Sequence, residues 1–189
     1  MACWNETIRC QRARLALSCA PPGSSSFPVD TSLLTIISGA QTGVDRAALD
    51  AALAHGFPCG GWVPAGRVDE DGLIPDHYPV TQLKKGGFQQ RTLQNLCDAD
   101  GTVIFYFGDL EGGTEQTAFR CMKVGRPYRL IDALEIPVAR AVELTLDFIQ
   151  TRGLSSLNVA GPRASKRPDG YAYAYAVIDG ILARLKGGR

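Results

Sequence analysis

The stretch LLTIISGAQTGVDRAALDAALAHG, residues 33–56, places an apolar strand, a glycine turn and a helix in direct succession. Glycines in the turn, residues 39–43, let a ligand approach the backbone closely, and the helix start offers unpaired N–H groups and a positive dipole end. The turn therefore suits an anion. It lacks both the G-x-G-x-x-G dinucleotide pattern and the lysine of G-x-x-x-x-G-K-[ST], which disfavours phosphoryl transfer of the P-loop type. Asp45 follows on the first helical turn, where it either binds a polar group of a ligand or favours the helix start through the dipole.

Two further glycine turns lie between a predicted strand and a helix. EGGTEQT, residues 111–117, supplies backbone donors, with Thr114 either capping the helix or bonding a phosphate oxygen. LNVAGPRASK, residues 157–166, brings Arg163 and Lys166, which either balance the charge of an anion or form a solvated basic turn. Because loops at the carboxyl ends of parallel strands gather at one edge of a sheet, we expect the three turns to converge.

The whole pattern from Leu33 onward, short apolar runs alternating with helical periods, predicts an α/β fold with a largely parallel sheet. Nearly all-apolar strands such as TVIFYF indicate a sheet covered by helices on both faces. The predicted strands are Leu33–Ser38, a short one near Cys59–Trp62, Gly101–Phe107, Pro127–Asp132 and Leu157–Ala160. The predicted helices are about Val44–Ala54, Phe88–Cys97, Thr114–Val124, Pro137–Thr151 and Asp169–Leu185.

The segment WVPAGRVDEDGLIPDHYPVTQLKKGG, residues 62–87, is rich in proline and glycine and has no periodic pattern. Loops of this length in a compact domain are usually lids, binding loops or contact surfaces, although a tolerated surface insertion is the alternative. We interpret its acidic run, Asp69 to Asp71, as a solvated face.

Composition excludes several classes of function. A net charge of +1 in 189 residues gives no broad attraction for nucleic acid or anionic membranes, and no apolar run reaches the ~20 residues that a bilayer span needs. The six cysteines form no C-x-x-C pair or zinc-like spacing, and two histidines leave little for a metal site or a Ser-His-Asp triad. We expect free thiols in a reducing compartment and a cytoplasmic protein.

The first 32 residues differ from the rest in having three cysteines, a Pro-Pro-Gly-Ser-Ser-Ser tract and no sustained apolar period. They predict a disordered tail, with a weaker likeness to an organelle transit peptide. Residues 33–189 then form a single ligand-binding domain in this interpretation.

The ordered set SGAQTGVDRAALDAAL, GGWVPAGRVDEDGLIPDHYPV, EGGTEQT and LNVAGPRASK closely resembles the molybdenum carrier, or molybdenum cofactor carrier, protein family. That family is a circularly permuted branch of a Rossmann-like superfamily that also contains phosphoribohydrolases once described as lysine decarboxylases. The resemblance covers about Leu34 to Leu185. It implies a Rossmann-like, doubly wound arrangement of the predicted sheet and helices.

The resemblance also implies a function. A homotetramer binds the molybdenum cofactor (Mo-molybdopterin) as cargo, protects it from oxidation and passes it to molybdoenzymes such as nitrate reductase, without catalysis. The cofactor's own dithiolene holds the metal, so no protein metal ligand is required. The family pattern gives cofactor-binding roles to residues of all three turns, namely Gly39, Gln41, Thr42, Gly43, Gly112, Gly113, Thr114, Asn158, Gly161 and Arg163.

Two alternatives stay open. The related phosphoribohydrolases carry G-G-x-G-T-x-x-E, whose glutamate is catalytic, and Thr117 holds that place here. Hydrolysis of a nucleoside monophosphate would then need Glu111, Glu115 or Asp45 as the acid. A module that senses a nucleotide or ADP-ribose through the same turns is the other alternative, because a phosphate cradle does not identify what the phosphate is attached to.

Overall fold

The computed structural model describes residues 34–187. The tail predicted for residues 1–32 lies outside the described residues. Within them the strands are β1 (Thr35–Ile37), β2 (Cys59–Gly60), β3 (Trp62–Val63), β4 (Thr81–Gln82), β5 (Gly101–Tyr106), β6 (Tyr128–Asp132) and β7 (Ser156–Ala160). The helices are α1 (Val44–His55), α2 (Phe88–Asp98), α3 (Gly112–Val124), α4 (Val138–Arg152) and α5 (Gly170–Gly187).

Five strands form one sheet in the order β2-β1-β7-β5-β6, and every pair in it is parallel. The predicted Rossmann-like α/β class is confirmed. In this order, strands β1, β7 and β5 are neighbours, although β7 is last in the chain. The turns that follow these three strands are the three glycine turns, so the topology places them side by side.

Both faces of the sheet are buried, which explains the nearly all-apolar strands. On β5, Val103 and Phe105 pack into the larger core cluster, with α1, α4 and α5 above them, whereas Ile104 faces α2 and α3 in a smaller cluster. Helix α1 approaches α5 closely because the buried positions on its inner face are small, namely Ala47, Ala48, Ala51 and Ala52.

The long segment of residues 62–87 is more ordered than its sequence predicts. Strands β3 and β4 pair in parallel as a second, two-stranded sheet, and β4 was missed by the sequence analysis. A third apolar cluster beneath the segment includes Val63, Ile74 and Tyr78. The Arg67 guanidinium donates hydrogen bonds to four carbonyl oxygens of the segment itself, those of Ile74, Pro75, Tyr78 and Val80.

The structure bears on the expectations about cysteines and about membrane spans. Cys59 and Cys121 are free thiols, as predicted for these two residues. None of the helices within residues 34–187 is long and apolar enough to cross a membrane.

Gly61 lies between β2 and β3, where the long segment joins the main sheet. A substitution at Gly61 tests how closely the backbones pack there. Its φ is 140°, and a Cβ atom added there would lie 2.0 Å from the Ser38 carbonyl oxygen. We expect Gly61→Ala to lower the free energy of unfolding by more than the ~1–3 kcal/mol of backbone strain alone, because backbone overlap adds to the strain. Urea denaturation followed by circular dichroism measures this.

Gly72→Ala is the matched control. Gly72 also has a positive φ, 123°, but an added Cβ atom would meet nothing within 4 Å. Equal losses in the two variants would contradict the proposed overlap with Ser38.

Candidate functional site

A cleft of about 600 Å³ lies beyond the carboxyl ends of β5 and β7. Its walls come from the three glycine turns, from the start of α2 and from the end of β5. This is the edge at which ligands bind in open parallel sheets, and the volume falls within the ~300–1,000 Å³ typical of small-molecule sites. All three turns reach the cleft, in keeping with the expected convergence.

The second turn gives the cleft a free helix start. None of the N–H groups of Gly112, Gly113 and Thr114 has a hydrogen-bond acceptor among residues 34–187, and the side chain of the N-cap residue Glu111 makes no capping bond. Nothing lies within 4 Å of the position that a Cβ atom would take at Gly112 or Gly113. The unpaired donors of α3 are therefore open to a ligand in the cleft, and the helix dipole adds a positive end there.

The third turn brings cationic side chains to the same cleft. Arg163 is half exposed, and its Nε lies 3.2 Å from a Glu70 carboxylate oxygen. Lys166 lines the cleft with no ion-pair partner among the described residues. Arg167 donates to the Phe107 carbonyl oxygen (2.8 Å) and lies over the Phe107 ring. Two of these three cations thus have fixed positions, and all three line the cleft.

The first turn differs from the second because several of its donors are already used. The N–H groups of Gly39 and Gln41 donate to the Asp45 carboxylate, and the Thr42 N–H donates to the Gln41 side-chain oxygen. The Val44 N–H donates to the Pro162 carbonyl oxygen, which ties the start of α1 to the third turn. The anion at this helix start is therefore a carboxylate of the chain itself.

Asp45 and Arg91 form a buried ion pair at the floor of the cleft. Their N–O distance is 3.0 Å, and the exposed fractions of the two side chains are 5% and 13%. Burial raises the pKa of Asp45, although the Arg91 charge and the backbone donors oppose that rise. The Arg91 Nε is buried without a hydrogen-bond partner among the described residues, so this guanidinium retains an unused donor.

Arg91 was missed by the sequence analysis, as was Arg167, which also lines the cleft. Arg91 enters from the first half of α2, and no strand of the main sheet directly precedes that helix. Sequence reasoning sought binding residues in strand-to-helix turns, so it had no signal for this arginine. Arg167 lies one residue beyond the basic turn that was considered.

The ten residues predicted to bind a ligand divide into two groups. Seven line the cleft, namely Gln41, Gly112, Gly113, Thr114, Asn158, Gly161 and Arg163. The other three lie behind its wall: the Arg91 guanidinium covers Gly39, Gly43 contacts the backbone of residues 162–164, and the Thr42 hydroxyl bonds Glu70 and accepts from the Ala164 N–H. Binding by these residues stays a prediction.

The interpretation of Asp69 and Glu70 as a solvated face is wrong. Their side chains are only 1% and 12% exposed, and they pair with Arg46 and Arg163 respectively. Burial tends to raise the pKa of Glu70, but hydrogen bonds from Ser165 and Thr42, together with the Arg163 charge, hold it below its ordinary value. Asp69 and Glu70 thus attach this part of the long segment to α1 and to the third turn.

Thr117, which stands where related hydrolases have a catalytic glutamate, is only 6% exposed. Its hydroxyl donates to the Gly113 carbonyl oxygen (2.8 Å), a common local bond within a helix. Of the three carboxylates considered as replacements, Asp45 and Glu111 line the cleft and Glu115 does not. Asp45 is committed to Arg91 and to backbone donors.

A family model described as the circularly permutated YpsA SLOG family matches residues 36–182, most of the chain. The chain belongs to this family. Among solved structures, one match is the crystal structure at 1.45 Å resolution of a protein from Syntrophus aciditrophicus SB, described as a "putative molybdenum carrier protein". The two chains are 38% identical, the match covers 80% of this chain and 96% of the other, and the TM-score is 0.78. A search of curated proteins gave no match.

The matched residues of the SLOG family include every turn that lines the cleft. The match begins at β1 and ends within α5, so the first, second and third turns all fall inside it. The similarity to the Syntrophus protein agrees with the family resemblance in the motifs.

Proposed function

We propose that this protein binds the molybdenum cofactor in the cleft, protects it and releases it to molybdoenzymes without changing it chemically. The observation that carries the proposal is the free start of α3, with the unpaired N–H groups of Gly112, Gly113 and Thr114, in a cleft that cationic side chains also line. The similarity to a protein described as a molybdenum carrier supports this choice of cargo.

The chemistry of the cleft suits a ligand with anionic groups at more than one position. The cofactor has a phosphate and a molybdenum-oxo group, and both accept hydrogen bonds from backbone donors and arginines. Four cationic side chains, Arg91, Arg163, Lys166 and Arg167, line the cleft against three carboxylates, Asp45, Asp109 and Glu111. Tyr106 offers apolar surface for a flat pterin ring.

The absence of catalysis is part of the proposal. A carrier needs no general acid, and the hydroxyl of Thr117, a residue that lines the cleft, donates to the Gly113 carbonyl oxygen of its own helix. Within residues 34–187, no group of three or more His, Cys, Asp or Glu side chains is placed to hold a metal ion. In our account the cofactor's dithiolene retains the metal, while the protein binds the organic part and the oxyanions.

The family resemblance extends the proposal to assembly and delivery. We expect a homotetramer in the cytoplasm that contacts a molybdoenzyme such as nitrate reductase only transiently. Light scattering coupled to size exclusion tests the first point, and a mass of one chain in solution would contradict it.

The binding proposal is tested by titrating the full chain with molybdenum cofactor under anaerobic conditions, in parallel with AMP and ADP-ribose. We expect saturable cofactor binding that weakens with added salt, recovery of the cofactor intact and slower oxidation of the bound form on admission of air. The salt dependence follows because the contacts are largely between charges.

Each alternative function has its own outcome in the same experiment. Tighter saturable binding of AMP or ADP-ribose without turnover would replace the cargo by a nucleotide. Release of free base from AMP, lost on Glu111→Gln, would overturn the non-catalytic account.

A further inference from the structure

The Glu70 carboxylate occupies a complete set of oxyanion donors. Its Oε1 accepts from the Thr42 hydroxyl and from the Ser165 N–H (3.0 Å), and its Oε2 accepts from the Ser165 hydroxyl, while Arg163 Nε lies 3.2 Å from Oε2 as the ion-pair partner. These four groups come from the first and third turns, which begin at the ligand-binding edge of the sheet. A tetrahedral oxyanion presents acceptor oxygens of the same kind and carries more charge.

Some donors of this set have no acceptor, because a carboxylate has only two oxygens. The Nη atoms of Arg163 have no hydrogen-bond partner among residues 34–187, and the side chain is half exposed. A third oxygen, which phosphate has and a carboxylate lacks, would meet this free edge of the guanidinium. A phosphate group therefore has, at Arg163, donors available that Glu70 leaves unused.

Glu70 can leave these donors without unfolding the segment that carries it. The neighbouring Asp69 is held separately by Arg46, and the rest of the segment by the Arg67 guanidinium and the apolar cluster below it. An antiparallel bridge between Val68 and Leu73 closes the turn from which Glu70 projects. Release of Glu70 thus requires the loss of one side chain's contacts only.

We propose that Thr42, Arg163 and Ser165 form an oxyanion site for a phosphate monoester, occupied by Glu70 until the ligand's phosphate displaces it. Glu70 acts as an internal competitor that keeps the two turns in place while the site has no ligand. Of these residues only Arg163 lines the cleft, so the site lies at its border, and the inference deepens the proposed function by assigning the phosphate of the cargo to this border of the first and third turns. The molybdenum end of the cofactor would then bind at the free start of α3.

The test uses inorganic phosphate as the probe and the full-length chain, so it does not depend on the cargo. Isothermal titration at constant ionic strength compares wild type with Glu70→Ala and Glu70→Gln. We expect phosphate to bind at least about tenfold more tightly to both variants, since a charged competitor with several charge-assisted hydrogen bonds has been removed. Adding Ser165→Ala to Glu70→Ala should reverse most of the gain.

Asp71→Asn is the matched control. It removes one negative charge from the same turn, and the Asp71 side chain makes none of the contacts that Glu70 makes. An equal gain in Asp71→Asn would mean that only general electrostatics is involved, and an unchanged affinity in a folded Glu70→Gln protein would make Glu70 a structural tie. Either result overturns the proposal.

The outcome can be separated from that of the proposed function. Cofactor binding without any effect of Glu70 on phosphate would leave the carrier function standing and remove this site. Tighter phosphate binding in the Glu70 variants without any cofactor binding would do the reverse.

Discussion

Gly113→Asp should weaken cofactor binding at least about thirtyfold, ~2 kcal/mol, while leaving the fold as stable as before. The new carboxylate would stand among the free N–H groups at the start of α3, where it repels an anionic ligand. The same position favours an acidic residue in the folded protein, because the helix dipole stabilises negative charge there. Space permits the change, since an added Cβ atom meets nothing within 4 Å. Anaerobic cofactor titration and a thermal melt measure the two effects.

Gly113→Asn separates charge from size, because the asparagine side chain has the same shape and no charge. We expect it to weaken binding far less than the aspartate. Equal losses in the two variants would indicate steric blocking, and no loss in either would exclude the start of α3 from the binding site.

Arg91→Ala should lower the free energy of unfolding by about 3 to 5 kcal/mol, the usual cost of leaving one charge of a buried pair alone. Asp45 keeps only its backbone donors in this variant, with its side chain 5% exposed. This loss of stability should be largest at neutral pH. It should become smaller as the pH falls toward 3.8, the ordinary pKa of an aspartate. The sign follows because burial raises the folded-state pKa of Asp45, and the protonated carboxyl needs no partner.

Arg140→Ala provides the contrast for this stability measurement. Arg140 pairs with Glu143 at 2.8 Å on α4, but both side chains are more than half exposed. We expect its loss to cost at most about 0.5 kcal/mol. Guanidinium denaturation of both variants at neutral and acidic pH checks the comparison, and similar losses would contradict the structural role given to the Asp45–Arg91 pair.

The fold was largely predictable because its signals are local. Residues 101–106 form a short, apolar run that only a buried strand accommodates, and α1 begins at Val44 as the glycine turn predicts. Strand β4 was not predictable in the same way. It consists of Thr81 and Gln82, both exposed, and it pairs with β3 across the long segment, so nothing in its own sequence marks it.

The candidate site was predictable only in part, because glycine turns are visible in sequence and the partners of charged residues are not. Gly112 and Gly113 sit at the cleft as their strand-to-helix position indicates. From the sequence alone, Glu70 is interpreted as a solvated loop residue. In the structure it contacts Ser165 and Arg163, which are more than ninety residues away in the chain. The ion pair of Arg91 was not visible in the sequence either, since its partner Asp45 lies on a different helix.

The most direct test of the carrier account is diffraction from crystals of the cofactor-loaded protein, recorded at the molybdenum absorption edge. The anomalous signal locates the metal without reference to any interpretation of the cleft. We predict one molybdenum peak per chain between the start of α3 and the basic third turn, and a weaker peak in crystals of Gly113→Asp loaded at the same cofactor concentration. A loaded protein whose molybdenum lies outside this cleft, or that retains no molybdenum after anaerobic gel filtration, would contradict the account.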